Sequence, residues 1–516
     1  MNREQIYRNR YLIAFAVVLA SMLELIDSTI VNVAIPQMMG HLGVTLEEVA
    51  WVNTGYIVAN VIILPLTGWL SYRLGRRNYY TGSVLLFTVS SFFCGNSTSL
   101  EALVFWRIVQ GTGGGALIST AQAILYDVFP EEERGTAMAI FGIGVMVGPT
   151  LGPTIGGWIT DHYSWPWIFF VNLPIGAIAA FMTWRLVPEP EHKPVQSPSV
   201  DWFGLAFLIV GIGGLQVMLE RGESQDWFAS REIQTYLALF VTGIVAFIWQ
   251  ELRTKNPMVD LRVLRNRQFT AGMSYAFVFG LALYAQNFAL PVFLQNLLGH
   301  TAWNTGLVLL PGALASAVGM AIGGKLSARW DARLFIAGGS ALWFLAMWDH
   351  SQFTTEIGLH DAVWPITLRG LALGLVFVPL ANATVADLKP SQLPQGTGLF
   401  NLMRQLGGSV GIALTSTFLS HYSAESRSAL VTHLSPESEP VREWLTRVTL
   451  GAMRQGGSLE EARHRADGLL NMVIDRQASM LAFDRLFLLM GIALICGACL
   501  LVFFRTGKTV GGGMAH

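Results

Sequence analysis

Apolar runs of roughly twenty residues, long enough to cross about 30 Å of hydrocarbon at 1.5 Å per residue, alternate with short polar connections along almost the whole chain. They lie at 11–35, 50–70, 79–97, 102–125, 135–159, 166–187, 203–219, 234–252, 270–294, 303–326, 334–348, 362–385, 396–419 and 481–504. The pattern predicts an all-α membrane protein of fourteen membrane-spanning helices, and an even count leaves both termini on one side. A longer polar connection, 420–480, precedes the last run, and Ser458-Leu-Glu-Glu461 within it has the spacing of a capping box. This connection is expected to be partly helical, either as a lid on the surface or as a docking surface for a partner.

Charge orients the pattern. Arg3, Arg8 and Arg10, then Arg73, Arg76 and Arg77, then Arg134, then Arg185 and Lys193, then Arg253, Lys255, Arg262, Arg265 and Arg267, then Arg329 and Arg333, then Lys389, then Arg505 and Lys508 fall on alternate connections. The opposite short connections carry chiefly Arg221 and Arg231. By the positive-inside rule both termini face the cytoplasm, and the arginine-rich 420–480 segment is external by parity, as the rule tolerates for a long loop. The first run is too long for a signal core and holds two acids, so it is read as a retained span. Of 516 residues 52% are hydrophobic and 13% charged, against about a quarter charged in soluble domains. A net charge of -1 lacks the basic excess that nucleic-acid binding needs. Cys94, Cys496 and Cys499 sit in apolar runs and predict no disulfide scaffold.

The chain repeats itself. Gly68-Trp-Leu-Ser-Tyr-Arg-Leu-Gly-Arg-Arg77 after the second run is echoed by Gly324-Lys-Leu-Ser-Ala-Arg-Trp-Asp-Ala-Arg333 after the tenth. Asp127-Val-Phe-Pro130 with Gly135-Thr136 is echoed by Asp387-Leu-Lys-Pro390 with Gly396-Thr397. Runs 1 to 6 thus correspond to runs 9 to 14, and runs 7 and 8 are an insertion. The division is 1–187 as a first six-helix bundle, 188–255 as two inserted helices, and 256–516 as a second six-helix bundle. Two such halves in the same orientation are related by an axis along the membrane normal, the arrangement of major-facilitator transporters, which hold substrate near the midplane between them.

Two carboxylates, Glu24 and Asp27, stand three residues apart in the first run, on one helix face. Intramembrane acids nearly always face a cavity or a partner. Because desolvation disfavours the charged form, such an acid can load and release a proton. Helix rise places Asp27 about 24 Å and Glu24 about 20 Å up from the cytoplasmic side, and Arg107 of the fourth run about 9 Å down from the other side, so all three stand at similar depth. An arginine favours the charged form of a nearby carboxylate, so its approach or withdrawal offers a way to expel or bind the proton. A static ion pair that only fixes packing is the alternative. The ninth run, around Tyr284-Ala-Gln-Asn-Phe288, has no carboxylate, which assigns proton handling to the first half. In the fifth run Gly144, Gly148, Gly152 and Gly156, with Gly157, form a stripe that admits another helix closely, and Pro149 and Pro153 are expected to kink it. Arg369 and Arg404 are further intramembrane arginines.

Leu25-Ile-Asp-Ser-Thr-Ile-Val-Asn-Val-Ala-Ile-Pro36, Leu103-Val-Phe-Trp-Arg-Ile-Val-Gln-Gly111, the Gly-Pro stripe, Trp202-Phe-Gly204, Glu220-Arg-Gly222 and Asn256-Pro-Met-Val-Asp260 carry a resemblance over essentially the whole chain. The sequence resembles the fourteen-span drug:proton antiporters of the major facilitator superfamily, and among them the EmrB-type inner-membrane multidrug exporters of Gram-negative bacteria. The resemblance implies a proton-coupled exporter of amphipathic compounds, driven by the gradient without a cofactor. It matches Asp27 and Arg107 to the coupling motifs, the fifth-run stripe to the antiporter motif, and Gly68, Arg73, Gly75, Arg76 and Arg77 to the cytoplasmic gating loop. Tyr72, and Ala328 in the second copy, replace that loop's usual acid, which puts its charge latch in doubt. Glu24 is outside the first-helix motif and is read as a substrate contact, a second proton site or a spacer. Asn32, Gln110, Tyr284, Asn287 and Arg404 are candidate cavity residues. A periplasmic adaptor of the EmrA kind and an outer-membrane channel of the TolC kind are the implied partners.

Enzyme-like patterns lack their context. Gly407-Gly-Ser-Val-Gly411 sits inside an apolar run rather than after a strand. Gly319 to Lys325 stops short of a P-loop because Leu326 follows, and the ten histidines show no ligand spacing. The rival expectations are an exporter of one physiological solute, such as a fatty acid or siderophore, and a non-transporting membrane sensor.

Overall fold

The computed structural model describes residues 3–130, 133–189, 201–254, 257–327, 330–389, 392–434, 438–454 and 458–504. Lys193, Lys255, Asn256, Arg329, Pro390, Arg505, Lys508 and His516 lie outside the described residues. The helices are α1 (Arg3–Leu42), α2 (Trp51–Leu74), α3 (Arg76–Gly95), α4 (Leu100–Val128), α5 (Arg134–His162), α6 (Asn172–Leu186), α7 (Trp202–Arg221), α8 (Arg231–Arg253), α9 (Arg267–Val292), α10 (Ala302–Ser327), α11 (Ala332–His350), α12 (Leu359–Val385), α13 (Leu393–His433), α14 (Glu439–Arg454) and α15 (Leu459–Gly497). Short polar residues set their starts. Ser99, Asp201, Ser230, Asn266, Asp331 and Ser458 each accept a first-turn N–H of the helix that follows, satisfying donors that have no partner within the helix.

Every predicted run is occupied by a helix. Among the described residues ten helical segments are long and apolar enough to cross a membrane. The other four predicted runs correspond to α3, α4, α11 and α13, which have the length but carry more polar side chains. The 420–480 connection is helical, as the capping box predicts, over most of its described length. Helix α13 continues unbroken to His433, α14 is a separate amphipathic helix, and α15 starts at the Ser458–Glu461 capping box and runs on into the last apolar segment. Polar helical turns thus extend two spans beyond their apolar parts, and α14 packs against α15.

The packing repeats. Helix α1 lies on α5 and α6, α2 on α4, and α3 on α4 and α6; equivalently α9 lies on α13 and α15, α10 on α12, and α11 on α12 and α15. Helices α7 and α8 pair with each other, and α7 rests on α2 and α13. The halves meet along α5 with α10 and along α2 and α4 with α13.

Helices α5 and α10 touch from Gly135–Gly324 to Thr154–Gly306, and side-chain hydrogen bonds join the halves where the predicted cytoplasmic connections lie. Asn401 donates to Gln122 (2.7 Å), Tyr126 donates to Asn382 (2.8 Å), and the Thr397 hydroxyl donates to the Ser119 carbonyl (3.3 Å). The backbones of Gly135 and Gly324 touch there, with no room for a side chain at either. At the opposite end α7 stands between the halves, with Gly213 facing Val58 of α2 and Gln216 donating to Ser409 of α13 (2.7 Å).

Gly324→Val should therefore wedge this end open. Spin labels at the exposed positions Tyr72 and Lys325 should move apart by electron–electron distance measurement, with a stability loss of roughly 1–3 kcal/mol from overpacking. Gly338→Val, at a glycine with open space around it, should leave the distance unchanged.

Candidate functional site

The centre of the first half is a polar cluster shut off from solvent. Asp27 of α1 and Arg107 of α4, both fully buried, form a salt bridge of 2.6 Å. The Asp27 carboxylate also accepts from Gln110 Nε2 (3.1 Å) and from Asn172 Nδ2 at the start of α6 (2.7 Å). Ser91 of α3 in turn accepts from Gln110 (3.2 Å) and Asn172 (3.0 Å). Arg107 donates through Nε to the Val52 carbonyl (3.2 Å) and through Nη1 to Gln110 Oε1 (2.7 Å), and its guanidinium lies over the Tyr56 ring, 4.2 Å from the centroid. Only Nη2 is without a partner.

Removing one partner of a buried ion pair leaves an uncompensated charge and costs about 3–5 kcal/mol, more than the pair itself contributes. The cluster therefore constrains α1, α2, α3, α4 and α6 together. The glycine stripe of α5 is what lets α1 sit close enough: Gly144 faces Val18 and Met22, Gly148 faces Leu25, Gly152 faces Thr29 and Gly156 faces Ile30. Gly157 is off this contact, 4.0 Å from Val33. Pro149 and Pro153 lie inside a helix that runs unbroken from Arg134 to His162.

Glu24 has a different environment. It is 5% exposed, does not reach Arg107, and accepts from Asn60 Nδ2 of α2 (2.9 Å); its second oxygen has no partner among the described residues. Asn60 Oδ1 accepts from Gln405 Nε2 of α13 (3.2 Å), so Glu24 is linked through one amide to the second half. Arg404, 2% exposed, donates to Tyr284 Oη (3.0 Å) and twice to Asn401 Oδ1 (3.3 Å each).

The remaining candidates separate. Gln110 is fully buried within the ion-pair cluster rather than on a cavity wall, while Asn32 and Asn287 are exposed, Asn32 accepting from Asn53 (2.5 Å). In the gating loop Gly68 abuts Gln395, and Arg73 lies over Trp69 at 5.2 Å. The doubt about a charge latch is met from elsewhere in the chain. Asp127 of α4 pairs with Arg76, Glu189 pairs with Arg77 (3.8 Å) and packs on Gly75, whose φ of +83° suits glycine. Asn172, Ser91, Tyr56, Asn60 and Gln405 were not singled out from sequence; the available signal was a lone amide or hydroxyl inside an apolar run.

The family model described as Major Facilitator Superfamily matches residues 17–412. The Multidrug export protein EmrB of Escherichia coli K12 is 33% identical over 516 residues, covering 98% of each chain. This chain belongs to the major facilitator superfamily and is of the EmrB type. The Fatty acid resistance protein FarB of Neisseria gonorrhoeae is 34% identical over 474 residues, 91% of each chain. Among solved structures the human organic anion transporter MFSD10 superposes with a TM-score of 0.58 at 16% identity, covering 94% of this chain and 99% of that one. That similarity supports the two-bundle major-facilitator fold.

Arg107→Gln should lower thermal stability in detergent by about 3–5 kcal/mol. Adding Asp27→Asn in the same chain should restore most of the loss, since the pair is then neutral on both sides. Equal stability of single and double variants in thermal unfolding would show that the two charges are not energetically coupled.

Proposed function

We propose that the protein is a proton-coupled antiporter that exports amphipathic drugs by alternating access of its two halves. The observation that carries the reading is the sealed Asp27–Arg107 pair of 2.6 Å, set beside a chain of the EmrB type. A carboxylate this deep is stable as an anion only while its donors hold it, so withdrawal of Arg107 loads a proton and its return expels one. Glu24 is a second acid on the same face, tied to the other half through Asn60 and Gln405.

On this reading the chain crosses the bacterial inner membrane fourteen times with both termini cytoplasmic. The units are 1–187, 188–255 and 256–516, and the proton gradient is the energy source with no cofactor. The ends of α2, α4, α10 and α12 and the starts of α5 and α13 then form the closed cytoplasmic gate, and the structure corresponds to an outward-facing state. The Arg76–Asp127 and Arg77–Glu189 pairs brace that gate. The helical extensions of α13 and α15 with α14 would rise on the periplasmic side, where a periplasmic adaptor and an outer-membrane channel would meet them. A second reading, export of fatty acids, is favoured by the similarity to the fatty acid resistance protein FarB.

In proteoliposomes with an imposed pH gradient, drug addition should trigger proton movement in the wild type, and Asp27→Asn should reduce it at least about tenfold, the loss expected when an essential proton-transfer group is removed. An unchanged response in the variant would make Asp27 structural. No response to drugs together with a response to long-chain fatty acids would select the second reading.

A further inference from the structure

The repeat that relates the halves also relates their interiors. Positions 27, 91 and 110 of the first half and 286, 350 and 369 of the second stand at one common offset, which matches Asp27 with Gln286, Ser91 with His350, and Gln110 with Arg369. Packing follows the same register. Gly176 of α6 lies against Thr88 of α3, and Gly491 of α15 against Met347 of α11, which matches Asn172 with Phe487. The contact is kept while its chemistry changes: Asn172 donates to Ser91 (3.0 Å), and the Phe487 ring lies 5.3 Å from the His350 ring.

In the first half three donors converge on a carboxylate. In the second the carboxylate is missing: Gln286 stands in its place, Arg369 in that of Gln110, and Phe487 and Ile366 in those of Asn172 and Arg107. Gln286, in the place of Asp27, is fully buried, and neither of its amide atoms has a partner. His350 is fully buried, with Nδ1 on the Ala346 carbonyl (2.6 Å) and Nε2 without a partner. Arg369 is 7% exposed, its Nε is unpartnered, and it acts electrostatically on His350. Among the described residues no carboxylate forms a salt bridge with Arg369. A largely buried guanidinium without a carboxylate beside it is costly to hold. Buried donors left without partners mark a place for a water or an ion, and for a cationic set the completing group is an anion.

We propose that Arg369, with Gln286, forms a binding site inside the second half for a small anion or for the carboxylate head of an amphipathic acid, the charge-inverted counterpart of the Asp27 site. The guanidinium supplies the charge, the Gln286 amide donates beside it, and the bound anion is the counter-ion that Asp27 is to Arg107 in the first half. As a substrate site it rests on the exporter reading above; as an anion site it does not.

The test is thermal unfolding of the full-length protein in nanodiscs, followed by intrinsic fluorescence in chloride-free gluconate buffer and titrated with chloride, acetate, decanoate and, as the uncharged control, decanol. Wild type should show a saturable rise in Tm with chloride, acetate or decanoate and none with decanol. Arg369→Gln should abolish the rise, Arg369→Lys should keep it at about tenfold weaker affinity because the charge survives without the planar fork, and Asp27→Asn should keep it in full. Saturation by decanoate at far lower concentration than by acetate assigns the site to an amphipathic acid; saturation by chloride without any decanoate effect assigns it to an inorganic anion. No shift with any anion in wild type, or an equal shift in Arg369→Gln, would overturn the proposal. If Arg369→Gln fails to fold, an undiminished affinity in Arg369→Lys and Gln286→Ala would do so. Transport assays are not involved, so failure here leaves the exporter reading standing and failure there leaves this site testable.

Discussion

A charge buried in the middle of a membrane protein must be held by other groups, and here that demand falls on Asp27. Three donors from two helices close on its carboxylate, and the guanidinium among them is itself held by the Val52 carbonyl, Gln110 and the Tyr56 ring. Meeting it fixes α1 against α4 and α6, with α2 and α3 supplying a carbonyl, a ring and a hydroxyl. The glycines of α5 are the steric counterpart, since a side chain at Gly148 or Gly156 would push α1 off its donors.

The same demand ties local chemistry to the motion proposed for the two halves. Asp27 belongs wholly to the first half, whereas Glu24, one turn away, is bonded to Asn60, which is bonded to Gln405 of the second half. Rocking the halves apart at the closed end must break the Asn60–Gln405 bond and the Gln122–Asn401 bond near it. The Asn60 amide that donates to Glu24 is thus also one of the groups that holds the two halves together.

Much of this was legible in the sequence, for identifiable reasons. The spans follow from hydrophobic length, and the Asp27–Arg107 meeting follows from helix rise counted inward from opposite sides. Helix rise gave depth but not rotation, so Glu24 stood as near to Arg107 as Asp27 did, and only the folded chain separates them. Asn172 and Asn60 were illegible because a single amide in an apolar run points to no partner along the chain. Polar helical turns carry no hydrophobic signal, which hid the length of α13 and α15. Arg76 and Arg77 found their acids on Asp127 and Glu189 rather than at Tyr72, a compensation that no reading of the loop alone would find. Gln110 looked like a cavity residue because it is polar and deep; its depth serves the ion pair instead.

The central claim is that the Asp27 carboxylate itself changes protonation during the cycle. Infrared difference spectroscopy of the carboxyl stretch, recorded on substrate addition to reconstituted protein, reports this directly. The account predicts a protonated-carboxyl band that disappears when substrate binds, shifts in deuterium oxide, and is missing from Asp27→Asn. A difference spectrum of Asp27→Asn that keeps the same band would contradict it and place the exchanged proton on another group.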